Sequence, residues 1–234
     1  MSEDDHEVNS PEKSTRRVSR QREAGEATRR ETRRRVLAAA TEEFAARGYA
    51  GATVARIAER ADVAVQTVYH AWGSKHALLR AMLEQAITNS DAGLEPQREI
   101  HLPLTGDLDP ADAADPARFM AHVANRFVSL AGRAALGWQT YRDAAAVDPE
   151  IAADWQLLQE LRRAAFDDII LQLPPKCLRR GMTRRQAADT AWVIASPESY
   201  DLLVRRAGMS NDELERWVRT TLVAALLREE RPSA

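Results

Sequence analysis

A single cysteine, Cys177, stands in 234 residues, so no internal disulfide can form. No apolar run is long enough to span a membrane, and no N-terminal apolar stretch marks a secretory leader, so a soluble, cytoplasmic chain is expected. Sustained apolar and polar alternation is missing, as are the tight turns between β-branched runs that a sheet would need. The expectation is an all-α protein. Basic excess is also lacking: the formal net charge is −2, so binding to a polyanion would have to come from local segregation of charge. No nucleophile elbow, phosphate loop or paired-carboxylate motif is present, and Asp167 with Asp168 reads as a solvated helix face, so no enzyme is expected. His6, His76, His101 and His122 fall in separate elements without ligand spacing, so neither a metal nor a cofactor is expected.

The chain is 44% hydrophobic, and a chain of this size buries roughly 70–75% of its unfolded surface. Charge is segregated at the start, where an acidic opening gives way to Arg16, Arg17, Arg20, Arg22, Arg29, Arg30, Arg33, Arg34 and Arg35. Residues 1–26 lack apolar side chains to bury and are expected to form a disordered arm, either a solvated tail or an arm that touches DNA. Helical spacing then takes over. Val36, Leu37, Ala40 and Phe44 line one stripe of a helix from about Ala27 to Arg47, and Gly48 supplies a left-handed stop. Thr53 is an N-cap for a short helix whose Val54, Ile57, Ala58 and Ala61 share a face.

The small Ala58, a turn at Asp62 and a β-branched Val68 six residues later have the spacing of a helix-turn-helix. Glycine is commonest at such a turn, but aspartate is among the few other residues that visit the left-handed region. The second helix then sets Gln66, Thr67, Tyr69 and His70 beside Val63, Val65 and Val68. Its valines must lean on a neighbour, so its polar side chains face outward, toward a DNA groove. Gln66 and Thr67 sit early enough to reach base edges, a glutamine amide pairing with adenine and a threonine methyl packing on thymine. Tyr69 and Lys75 suit phosphates, while His70 is either a contact or a solvated histidine.

Ser74 caps a long helix carrying Leu78, Leu79, Met82, Leu83 and Ile87. The Pro- and Asp-rich stretch from Leu94 to Pro116 is expected to be a mobile loop. Further helices are announced by Asp115, Asp148 and Ser196, each followed by proline, and by the capping boxes of Thr183 with Gln186 and Ser210 with Glu213. Two stripes, Ala188 with Trp192 and Leu214 with Trp217, Val218 and Leu222, belong either to the chain's own core or to a partner-binding face. Aromatic and polar side chains concentrate between His122 and Trp155.

The stretch VLAAATEEFAARGYAGATVARIAERADVAVQTVYHAWGSKHALLRAM resembles the DNA-binding domain of the TetR family of bacterial transcriptional regulators. It repeats in order the family's first helix, Gly-Tyr corner, Thr-capped second helix, Thr-x-Tyr recognition helix and Lys-x-x-Leu-Leu start of the fourth. Trp72 stands where phenylalanine is usual, and Gln66 where a small residue or proline is common. The resemblance implies a helix-turn-helix domain at 27–74, a helical ligand-binding and dimerisation domain at 75–234, and Thr53, Val65, Gln66, Thr67, Tyr69, His70 and Lys75 as DNA contacts. It further implies a homodimer paired through the final helices, with Ala188, Trp192, Leu214, Trp217, Val218 and Leu222 at the interface. A small-molecule cavity is implied near His122, Arg126, Trp138, Tyr141, Arg142 and Trp155, though aromatics at helical spacing also make core. The function expected is a repressor that leaves its double-stranded operator when a small molecule binds. The alternative is an all-α adaptor or enzyme that keeps the fold without operator binding.

Overall fold

The structure, a computed structural model, describes residues 11–89 and 114–228, with side chains from residue 22 onward. Helix α1 spans Pro11–Gly51, with a break at Gly48 (φ 63°, ψ 178°), where a glycine is needed for the positive φ. The helix starts ahead of the boundary expected at residue 27. Residues 11–26 carry no apolar stripe, but proline in the first turn followed by Arg, Glu, Gln and Ala favours a helix by propensity alone. Residues 1–10 of the expected arm, and the loop expected from Leu94 up to residue 113, lie outside the described residues.

Helices α2 (Val54–Arg60) and α3 (Val65–Trp72) complete the N-terminal unit. Then come α4 (Lys75–Thr88), α5 (Pro116–Ala145), α6 (Pro149–Gln172), a 3-10 turn at Pro175–Cys177, α7 (Arg184–Ile194), the short α8 (Pro197–Tyr200) and α9 (Asn211–Leu226). Between α8 and α9, Asp201–Arg206 forms a wider turn of i→i+5 type. Among the described residues no strand forms, and only a single antiparallel bridge ties Leu178 to Leu227. Capping explains the starts. Thr53, Ser74, Asp115, Asp148, Thr183, Ser196 and Ser210 each accept a backbone N–H of their own first turn, each worth about 1 kcal/mol, and the last pair of capping boxes forms in full at Thr183 and Ser210.

The buried side chains of all these helices form one connected core. Val36, Leu37, Ala40 and Phe44 of α1 belong to it together with Ile57, Ala58 and Val68, as the stripe predicted. Helix α5 is the axis of the larger unit, packed by α1, α4, α6 and α9. Where α4 crosses it, Gly137 leaves no room: a Cβ there would stand 3.0 Å from Leu83 Cδ1 and 3.4 Å from its Cα. Among the described residues no helix is long and apolar enough to cross a membrane, and no cluster of three or more His, Cys, Asp or Glu side chains is placed to hold a metal.

Candidate nucleic-acid interface

The turn between α2 and α3 has the predicted left-handed residue, Asp62 at φ 51°. Val63 N–H donates to the Ala58 carbonyl at 3.0 Å, which brings the chain back across α2. An arginine fixes it from outside: Arg35 Nη2 donates to the Ala61 and Asp62 carbonyls at 2.6 and 2.8 Å. These carbonyls leave a helix C-terminus, where a cation is favoured. Glu43, buried in α1, holds α2 from the other side, with Arg60 at 3.7 Å, Arg56 at 3.9 Å and Arg47 of its own helix at 3.1 Å.

On α3 the split between inside and outside follows helical period. Val68 and Trp72, one turn apart, are buried, while Val65, Gln66, Thr67, Tyr69 and His70 are exposed. Val65 and Tyr69 leave 41% and 47% of their surface open, apolar area that suits contact with a thymine methyl or a sugar. Ala64 caps α3 without a side-chain acceptor, so free N–H groups mark the helix start, a favourable place for a phosphate. Trp72 is buried, and Phe44 stacks on Tyr49 at 5.9 Å.

Two expected contacts hold structural posts. Thr53 Oγ1 accepts from Arg56 N–H at 3.3 Å as the cap of α2, and stays exposed. Lys75 is half-buried, its Nζ donating to the carbonyls of Tyr49 (2.8 Å) and Ala52 (3.1 Å) and lying 4.1 Å from the centre of the Tyr49 ring. Burial pulls its pKa down, opposed by the charge of Asp148. A lysine read from sequence as a phosphate ligand is therefore first a clamp on the kinked C-terminal end of α1.

Inside the larger unit, Trp138, Tyr141 and Trp155 do come together: Trp138 meets Trp155 edge-on at 5.3 Å, and Trp155 stacks on Tyr141 at 6.3 Å. Arg142 lies beside them on a narrow cleft. Trp138 and Tyr141 are buried, so in this conformation they are packed core. His122 and Arg126 are not part of the group, since they sit about 24 and 18 Å further back along the same helix. His76 was given no role by the sequence. Its Nε2 lies 3.1 Å from Tyr141 Oη and 3.1 Å from Asp154 Oδ2, Tyr141 Oη donates to the same carboxylate, and Arg80 approaches it at 3.5 Å. Hydrogen bonding from His76 holds the Asp154 carboxyl below its ordinary range, against the opposite pull of burial.

The expected dimer face needs correction. Ala188, Leu214, Val218 and Leu222 are fully enclosed within one chain, where α9 packs on α5 and α7, and α7 packs on α6. Trp192 and Trp217, half-buried, retain surface of their own.

With this geometry in view, residues 36–82 match the family model described as bacterial regulatory proteins, tetR family. The matched segment takes in the last part of α1, all of α2 and α3 and the first half of α4, and it is similar to the helix-turn-helix of that family of transcriptional regulators. Likeness of fold extends beyond that segment. A transcriptional regulator from Rhodococcus sp. Rha1 is 17% identical, with a TM-score of 0.57 over 82% of this chain and 94% of that one. A structure described as a TetR-family transcriptional regulator from Rhodococcus sp. is 17% identical, with a TM-score of 0.58 over 84% and 98%. Another so described, from Mesorhizobium loti MAFF303099, is 18% identical, with a TM-score of 0.53 over 84% and 97%. No curated protein matches the chain.

Proposed function

We propose that the chain is a homodimeric repressor that binds a two-fold symmetric operator and leaves it when a small molecule enters the helical unit. The observation that carries the DNA reading is α3, which anchors Val68 and Trp72 and turns Val65, Gln66, Thr67, Tyr69 and His70 to solvent on a helix with an open N-terminus. In the major groove Gln66 and Thr67 read bases, while Tyr69, His70 and the third N–H of Lys75 face phosphates. The exposed arginines of α1, among them Arg22, Arg29 and Arg30, add a basic flank. Two such helices must lie about 34–36 Å apart to enter successive grooves, so a dimer is required. Its interface is assigned to the outer faces of α7 and α9, where Trp192 and Trp217 keep surface.

A ligand acts by favouring a spacing that no longer fits. The test is selection of DNA by the full chain from a random library. Enrichment of a palindrome, bound by two chains in sedimentation, is the expected outcome. A chain that selects no sequence above background refutes the reading and favours the adaptor or enzyme alternative.

A further inference from the structure

Along α6 the buried stripe runs Ile151, Leu158, Arg162, Phe166, Ile169, and the arginine is the residue out of place. Arg162 is only 5% exposed. Its Nη2 donates to the Trp192 carbonyl at 2.8 Å, and the guanidinium lies 5.0 Å from the centre of the Trp192 ring. Its Nε and Nη1 are buried with no partner. Among the described residues no carboxylate pairs with it. Burial draws its pKa down to about 10, with the charge of Glu198 pulling the other way, so it is a cation near neutral pH. Arg162 lines a narrow crevice with Phe127, Leu130, Trp138, Phe166 and Pro197, large enough for about one water molecule. The indole N–H of Trp138 is likewise buried without a partner.

Two residues that line the crevice thus carry a positive charge and three buried donor atoms that no acceptor meets. An apolar side chain at residue 162 would be the cheaper choice for a core, since unpaired buried charge is strongly unfavourable. A carboxylate offers acceptors only and a full negative charge, the complement of what the crevice presents. Trp138 and Pro197 also line the cleft on the other side, beside Arg142 and Glu198, so Trp138 is the partition between crevice and surface. We infer that Arg162 is the anchor of an effector site for a small apolar carboxylic acid, whose carboxylate meets Arg162 and the Trp138 N–H and whose apolar body takes the place of the Trp138 partition. This rests on the reading of the chain as ligand-responsive, and it specifies the ligand's chemistry.

The experiment uses the full chain and matched pairs: benzoate and benzamide, phenylacetate and phenylacetamide, hexanoate and hexanamide, octanoate and octanamide. Melting temperature and tryptophan fluorescence are read against concentration. At least one acid should raise Tm and bind about tenfold or more tightly than its amide, the difference of a charge-assisted contact. Arg162→Met should abolish that response while melting no lower than the parent, and Arg162→Lys should restore part of it. A merely structural arginine would make Arg162→Met melt lower and leave acids and amides alike. The proposal is overturned if no acid binds, if amides match their acids, or if Arg162→Met binds acids as the parent does. Should Arg162→Met not fold, the ratio of acid to amide in the parent decides. Release is scored separately on the selected DNA. An acid that binds through Arg162 yet leaves DNA bound retains the anchor and refutes release; a neutral compound that releases DNA from Arg162→Met does the reverse.

Discussion

Replacing Lys75 by Met would separate the two roles that this residue can have. The substitution keeps the aliphatic stem and removes an ammonium bound to the Tyr49 and Ala52 carbonyls at 2.8 and 3.1 Å and stacked on the Tyr49 ring. Hydrogen bonds to a charged group are worth about 1.5–3 kcal/mol each, and a cation–π contact near the surface about 0.5–1. Lys75 is half-buried, its carbonyls can rehydrate, and the desolvation that lowers its pKa offsets part of the gain. These offsets cut the gross sum of about 3.5–7 kcal/mol to an expected loss of about 2–3 kcal/mol. For a chain of this size that is a fall of roughly 5–10 °C in Tm, measurable by circular dichroism. If Lys75 were instead a phosphate ligand alone, Tm would stay put, and the log–log dependence of DNA affinity on salt would flatten by about 0.9 per subunit. An unchanged Tm with that flattened slope would refute the clamp.

Gln66→Ala should cost roughly 1–3 kcal/mol on the selected operator and relax one base pair per half-site with the salt slope unchanged; identical base preferences in a second selection would remove Gln66 from the reading set. Gly137→Val should destabilise by about 1–3 kcal/mol in urea, because its side chain would meet Leu83 on α4; parent-like stability would mean that the crossing is looser than 3.0 Å implies. The Asp154 carboxyl is depressed by His76, Tyr141 and Arg80, so its stabilisation is present above the ordinary carboxylate pKa of about 3.9 and is lost as pH falls through the lower folded value. Urea unfolding between pH 6 and 3 should show that loss below about pH 4, and Asp154→Asn should remove that part of it; equal slopes would refute the assignment. A double-mutant cycle of His76→Ala with Asp154→Ala should give a coupling of about 1–2 kcal/mol, and additive effects would deny the contact any energetic role.

Much of the fold was open to reading because its signals are local. Caps at Thr53, Ser74, Thr183 and Ser210, the stop at Gly48 and the left-handed Asp62 all act within a few residues of themselves. The exposed row on α3 follows from period alone once Val68 is set inward. What sequence missed depends on which surfaces meet. The stripe of Leu214, Val218 and Leu222 is correct as a stripe, but periodicity cannot say whether a helix answers another helix of its own chain or of a second one. Lys75 and Arg35 look like surface cations until the carbonyls they reach, more than twenty residues away, are located. Arg162 did leave a trace: an arginine set between Leu158 and Phe166 at four-residue spacing breaks an apolar stripe, and only burial makes that break meaningful.

Helix α4 packs against both α1 and α5, and its side chains divide accordingly. Lys75 and the start of the helix hold the corner of α1 that carries α2 and α3. One residue on, His76 turns to Tyr141 of α5 and Asp154 of α6, and Arg80 reaches the same carboxylate. Leu83 then fills the gap left by Gly137. From Asp154 the neighbouring Trp155 touches both Tyr141 and Trp138, and Trp138 is the wall beside Arg162. A chain of packed rings and hydrogen bonds thus runs from the arginine crevice to the first turn of α4. Packed cores shift between discrete arrangements rather than bending smoothly. An acid that displaces Trp138 would therefore disturb Trp155 and Tyr141 together, and with them the groups that hold His76. The double-mutant cycle between His76 and Asp154 weighs the last of these links in energy, and a coupling of about 1–2 kcal/mol is the expected result.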